Sequence, residues 1–109
     1  MNKTITIAII GLGQVGNYLY RELNLKKKDI EKKTGKNIQV VALSAKNKNK
    51  KRKYKINKNI FYSDPIKIIK DIKPDILFEV IGQADGISKK IVETALKNKI
   101  HVITPNKAL

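Results

Sequence analysis

The stretch Thr4-Ile5-Thr6-Ile7-Ala8-Ile9-Ile10-Gly11-Leu12-Gly13-Gln14-Val15-Gly16 decides how this chain folds. Its first seven residues are apolar or β-branched almost throughout, which predicts a strand buried on both faces, as in the middle of a parallel sheet. Three glycines follow, and from Gln14 onward the apolar residues Val15, Tyr18, Leu19, Leu23 and Ile30 recur at helical spacing. The glycine spacing is weak by itself, but between a strand and a helix each glycine has a mechanical reason. Gly11 permits a tight turn, Gly13 lets an outside group approach the backbone without meeting a Cβ, and Gly16 lets the helix pack close to the strand. The free N–H groups of the first helical turn, around Gln14 and Val15, then point at an anion. Gly11, Leu12, Gly13, Gln14, Val15 and Gly16 together are therefore expected to cradle the pyrophosphate of a dinucleotide.

Outward from this turn the elements alternate. Asn24 to Lys28 interrupts the first helix, and Thr34-Gly35 ends the helical segment. Ile38 to Leu43 predicts a second buried strand, and Lys46 to Lys58, with eight basic residues and almost no apolar ones, reads as a flexible loop at its carboxyl end. Ile60 to Tyr62 is expected to be a short third strand. Ser63-Asp64-Pro65 starts a helix with a capping side chain and a proline at its first position, and Ile66, Ile69 and Ile72 supply the buried face. Lys73-Pro74 breaks it. Asp75 to Ile81 predicts a fourth strand, Gly82 to Gly86 a loop, Ile87 to Lys99 a helix with Ile87, Ile91, Val92, Ala95 and Leu96 facing the sheet, and Ile100 to Thr104 a fifth strand. The pattern is an α/β fold with a doubly wound parallel sheet. Right-handed crossovers favour the strand order 3-2-1-4-5, counting the expected strands along the chain.

The chain of 109 residues fits one domain, 1–109, and 41% apolar residues suffice for a core. It has no cysteine, which removes disulfides and thiolate metal sites, and no metal is expected. The absence of cysteine fits a reducing cytoplasm. No apolar run approaches membrane-spanning length, and no secretory signal precedes the first strand. A formal charge of +15 suggests an anionic partner such as nucleic acid. Against that, the basic residues are lysines except for Arg21 and Arg52, the chain is also rich in Ile and Asn as A/T-biased coding would make it, and only 6% of residues are aromatic. Nucleic-acid binding therefore ranks low.

The end of the second strand bears on the cofactor. A site for NAD would place a carboxylate there to bond the ribose 2′-hydroxyl. This chain has Leu43-Ser44-Ala45-Lys46-Asn47 and no carboxylate from Ser44 to Lys58. Ser44 and Lys46 would attract a 2′-phosphate, so NADP(H) is expected to be preferred, with NAD(H) possible.

Over nearly its whole length the chain resembles the N-terminal, Rossmann-type domain of homoserine dehydrogenase. The likeness includes Ile10 to Gly16, Val41-Ala42-Leu43-Ser44-Ala45-Lys46, Asp64-Pro65, Glu79-Val80-Ile81-Gly82, Asp85-Gly86, Ala95-Leu96-Lys97 and His101 to Leu109. The last block, Thr104-Pro105-Asn106-Lys107-Ala108-Leu109, is the most specific. The resemblance implies an oxidoreductase that interconverts aspartate semialdehyde and homoserine with a nicotinamide cofactor, on the route to threonine, methionine and isoleucine. It implies a catalytic and binding role for Lys107, cofactor contacts at Ile81 and Gly82, and a cofactor contact at Asn106, whose other reading is a residue that only shapes the turn after Pro105. It also implies a substrate domain beyond Leu109, a homo-oligomer in the full-length enzyme, and a fragment inactive alone. Two departures stand out: Gln83 where the family often has a second glycine, and Lys46 where an arginine is common, which keeps the charge and loses the bidentate fork.

Other polar residues carry simpler readings. Glu79, in an apolar strand, either bonds nearby backbone N–H groups or lies at the rim of the cleft. His101 reads as a packing or surface residue, Asp64 as a helix cap and Asp85-Gly86 as a turn. Two other functions stand beside the enzyme: a free-standing, non-catalytic NAD(P)-binding regulator, and a nucleic-acid binder carried only by net charge.

Overall fold

The structure, a computed structural model, describes residues 3–81 and 86–104. Strand β1 (Thr4–Ile10) runs into the glycine turn and helix α1 (Gln14–Leu25). Helix α2 (Lys27–Thr34) follows after a break at Lys26, within the interruption expected over Asn24 to Lys28. It ends at Gly35, whose φ of 71° is left-handed and whose N–H donates to the Glu31 carbonyl at 2.8 Å. Strand β2 (Asn37–Ser44) comes next, then the basic loop, a single 3-10 turn (Lys58–Ile60) and helix α3 (Pro65–Lys67). Helix α3 continues as a wider π turn (Ile68–Ile72), and β3 (Ile76–Glu79), α4 (Gly86–Lys97) and β4 (His101–Ile103) complete the described chain.

All pairings between these strands are parallel, in the order β2-β1-β3-β4. Strands β3 and β4 are the fourth and fifth of the expected strands, so that part of the order 3-2-1-4-5 stands. The expected third strand, Ile60 to Tyr62, is not one. It amounts to a single bridge, Leu43 to Phe61, with the Tyr62 N–H donating to the Leu43 carbonyl at 2.8 Å. The bridge lies on the outer side of β2, where the expected order places it. Ile60 is taken up by the 3-10 turn, whose cap is the Asn57 side chain accepting from the Asn59 N–H at 3.0 Å.

Side chains of β1 alternate between two cores, one on each face of the sheet. Ala8 and Ile10 join Ala42, Ile68, Ile69, Leu77, Ile91, Ala95 and Ile100 on one face. Ile7 and Ile9 join Leu12, Tyr20, Ile38 and Leu43 on the other. Burial of each such Ile or Leu contributes about 1.5–3 kcal/mol. The two sheet faces therefore dominate stability, and α2, which buries no residue, adds little.

Several expected helix faces are rotated. Val15 and Tyr18 are 63% and 61% exposed, whereas Gly16, Asn17 and Tyr20 are the buried residues of α1. On α3 and its π turn Ile68 joins Ile69 as fully buried, with Ile66 and Ile72 only partly so, because the wider turn shifts the phase. On α4 the buried set is Ser88, Ile91 and Ala95, and both Ile87 and Leu96 are exposed. Asp64 caps α3 as expected, accepting from the Ile66 N–H at 2.9 Å.

The basic loop is not a loose tether. Tyr54 and Ile56, two residues apart, pack against the core beside α1, and three polar ties, at Arg52, Tyr54 and Asn57, fasten the loop around them. Hydropathy alone could not reveal this, since those ties join side chains to backbone.

Candidate functional site

Chain connections leave β1 for β2 on one side and return past β1 to β3 on the other, so a crevice opens between the carboxyl ends of β1 and β3. Ligands of open parallel sheets bind at this kind of reversal. A cleft of about 800 Å³ lies here. Its floor is Gly11, Leu12 and Gly13, one wall is Ser44 to Asn47 with Lys50 and Arg52, and the other is Val80 and Ile81. Pro65, Ile87 and Ile91 give it an apolar end.

The three glycines differ in what enforces them. Gly11 has φ 103°, and a Cβ there would stand 2.8 Å from the Val80 carbonyl carbon. Its N–H donates to the Ser44 carbonyl at 2.8 Å, which ties the turn to the end of β2. A Cβ on Gly16 would overlap the Gly11 carbonyl oxygen. At Gly13, however, φ is −71° and, among the described residues beyond its chain neighbours, no atom lies within 4 Å of the Cβ position. Nothing among the described residues asks for glycine there. The bare backbone faces open space at the start of a helix that has no capping side chain and no acidic residue in its first turn. The N–H groups of Gln14, Val15 and Gly16 have no intrahelical acceptor, since the ladder begins with Asn17 donating to the Gly13 carbonyl at 2.9 Å. Such an end attracts an anion.

Ser44, Lys46 and Ile81 line the cleft with the glycine turn, as the sequence suggests. Gln14 lines a neighbouring groove of about 490 Å³ between α1 and the basic loop. Val15 has its side chain in solvent, so it offers the site its N–H alone. Gly82, Asn106 and Lys107 lie outside the described residues, as do Gln83 and Asp85. Sequence reasoning missed Lys50, Arg52, Pro65, Ile87 and Ile91 as cleft residues. Arg52 carried one usable signal, being the sole arginine in a run of lysines.

Among the described residues lining the two cavities there is no Asp or Glu, while Lys46, Lys50 and Arg52 all line the larger one. Glu79 is fully buried, and its two oxygens are spoken for: Oε2 accepts from the Ile81 N–H at 2.9 Å and Oε1 from the Thr104 hydroxyl at 2.8 Å. Of its two readings, the structural one fits. The carboxylate clamps the end of β3 to the residue after β4. Glu79→Leu should therefore cost about 2 kcal/mol by taking the acceptor from the buried Ile81 N–H and breaking the tie to Thr104, and Glu79→Gln clearly less. Urea midpoints of the two variants test this, and equal midpoints would contradict it. On the outer face of α1, the Tyr18 hydroxyl and then Lys26 hold the Glu22 carboxyl below its ordinary value, outside both cavities.

A glycine turn joining β1 to α1 below a crevice at the sheet's reversal point defines a dinucleotide-binding domain. The model of the family described as "Homoserine dehydrogenase, NAD binding domain" matches residues 11–109, and the chain belongs to that family. It is 30% identical over 107 residues to the homoserine dehydrogenase of Methylobacillus glycogenes, covering 98% of this chain and 26% of that protein. The Bacillus subtilis (strain 168) homoserine dehydrogenase is 28% identical, with 98% and 24% covered. Among solved structures, S. aureus homoserine dehydrogenase superposes with a TM-score of 0.88 at 34% identity, over 98% of this chain and 27% of that one. The Thiobacillus denitrificans enzyme gives 0.79 at 27% identity, over 96% and 24%. The chain thus spans about a quarter of the length of the relatives it matches. No helix among the described residues is long and apolar enough to cross a membrane.

Proposed function

We propose that this chain is the cofactor-holding part of an oxidoreductase that interconverts L-aspartate 4-semialdehyde and L-homoserine, and that it prefers NADP(H) to NAD(H). The observation that carries the cofactor reading is Gly13, a glycine that no described residue crowds and whose bare backbone something from outside can approach. The naming of the relatives carries the reaction. In this reading the pyrophosphate rests on the first turn of α1. The adenine takes the apolar end of the cleft near Pro65, Ile81, Ile87 and Ile91. When bound, the nicotinamide supplies or accepts the hydride exchanged with the substrate's carbonyl carbon. Lys107 holds the substrate oxygen or a cofactor phosphate with its ammonium, and Asn106 and Gly82 contact the cofactor.

The preference for a 2′-phosphate rests on Ser44 and Lys46 at the end of β2, and on the absence of any carboxylate among the cleft's described lining residues. A carboxylate would repel the phosphate, whereas the lysines attract it. Lys46→Glu should weaken NADPH binding by about tenfold or more and leave NADH within about threefold. Parallel titrations with the two cofactors check this. Unchanged NADPH affinity would defeat the assignment. The 109-residue chain alone should not oxidise homoserine, and measured turnover would contradict the proposed division of labour.

A further inference from the structure

The basic loop after β2 poses a physical question. Eight cations within thirteen residues repel one another, and such a segment gains by spreading into solvent. Here it is instead drawn tightly over the glycine turn. Arg52 donates from Nε to the Leu12 carbonyl at 3.2 Å, from Nη2 to the Asn47 carbonyl at 2.7 Å, and from Nη1 to the Lys50 carbonyl at 3.0 Å. A longer contact of 3.4 Å reaches the Lys48 carbonyl. A guanidinium has five N–H donors, so most of this one's capacity goes to main-chain carbonyls. Little is left to fork a phosphate, which is the role a lone arginine in a basic loop would ordinarily suggest.

A second tie lies one helical turn away. Asn17 is 7% exposed, and its amide pairs with the backbone of Tyr54 in both directions. Nδ2 donates to the Tyr54 carbonyl at 2.9 Å, and Oδ1 accepts from the Tyr54 N–H at 3.0 Å. Tyr20 adds a third tie, its hydroxyl accepting from the Asn57 N–H at 3.3 Å and its ring meeting that of Tyr54 edge-on at 5.5 Å. The loop is thus fastened to the glycine turn and to α1. Lys46 and Lys50, both on the cleft wall, lie on the same segment.

We propose that Asn17 and Arg52 are positioning residues for cofactor discrimination: by latching the basic loop to α1 and to Leu12, they hold Lys46 and Lys50 as a preset pair for the dinucleotide's 2′-phosphate. This rests on the NADP(H) reading above. The repulsion among the loop's cations is borne before the ligand arrives, so an entering phosphate relieves it and meets donors already in place. The latch, and not the number of positive charges, then sets the preference.

The test is a nitrogen-15 NMR titration of the 109-residue chain with NADPH and separately with NADH, together with hydrogen exchange of the Tyr54 amide. Arg52→Lys keeps the charge and loses the fork, and Asn17→Ala loses the paired amide without touching charge. Both should lower NADPH affinity about tenfold, change NADH affinity less than about twofold, and speed Tyr54 exchange. Lys55→Ala removes a charge from an exposed residue that lines neither cavity, and should keep the wild-type ratio. If the wild type binds both cofactors equally, the NADP(H) reading has failed. If it prefers NADPH and Arg52→Lys keeps the full preference, that reading stands and the latch is overturned. Loss of preference in Lys55→Ala alone would likewise assign discrimination to net charge. Should Asn17→Ala fail to give a folded spectrum, Arg52→Lys decides.

Discussion

Gly16→Ala should lower the midpoint of thermal unfolding by roughly 8–16 °C, although alanine is the better helix former. A Cβ at this position would overlap the Gly11 carbonyl oxygen, and it would lie 2.8 Å from the Gly11 carbonyl carbon and 3.1 Å from the Val80 Cγ2. Retreat is blocked on the far side. Gly11 already has φ 103°, and its N–H is committed to the Ser44 carbonyl at 2.8 Å. Overpacking of this kind costs about 1–3 kcal/mol, and the upper end applies when the obstacle is main chain and not a flexible side chain. Helix propensity returns about 1 kcal/mol at most. Against a total of about 5–15 kcal/mol for a domain, a net loss of about 2 kcal/mol is large. Circular dichroism melts check this, and a rise in the midpoint would mean that the strand and helix do not press together at this glycine.

Gly13→Val should do the opposite: stability changes by about 1 kcal/mol or less, while dinucleotide affinity falls by about a hundredfold or more. No described atom lies within 4 Å of the new Cβ, and φ of −71° suits any residue. The cost on stability is only that of a β-branched residue at a helix cap. On binding, the side chain would occupy the space through which the pyrophosphate reaches the N–H groups of α1. A variant that melts like the wild type and titrates NADPH with unaltered affinity would remove the glycine turn from the binding site. Measured together, the two substitutions separate a glycine kept for packing from one kept for a ligand.

Much of this architecture is legible in the order of residues. β1 starts and ends where its β-branched run does, because Gly11 stops it, and Gly35 stops α2 for the same kind of reason. The strand order follows from crossover handedness. The failures share a cause, which is that apolar periodicity reports spacing and not phase. On α1 the inward direction is set by Gly16 against Gly11, and this turns Val15 and Tyr18 outward and brings the polar Asn17 in. On α3 a π turn shifts the phase, so Ile68 is buried. The short third strand failed because one bridge to Leu43 is all that the 3-10 turn leaves room for. At the site, the glycines, Ser44 and Lys46 could be read from type and spacing. Arg52 and Asn17 could not, since each acts on the backbone of residues that are unrelated in pattern.

The acceptors chosen by Arg52 have a further effect. Every carbonyl it holds, and both groups that Asn17 pairs with, belong to the main chain. Main-chain groups are the same whatever side chain sits on them. Asn47 and Asn49 add side-chain bonds of their own, Asn47 Oδ1 accepting from the Asn49 N–H at 3.0 Å and Asn49 Oδ1 from Lys58 Nζ at 3.1 Å, but Lys48, Lys51 and Lys53 are free to change to almost any non-proline residue without altering the path of the loop. Coding bias can fill such positions with lysine at no cost to shape. A few side chains fixed by geometry, Asn17, Tyr20 and Arg52 foremost, would then keep one loop conformation while the lysines between them drift. A set of homologous loops with dissimilar composition but the same course, each with an amide and a guanidinium at the places held here by Asn17 and Arg52, is what that insulation would leave behind.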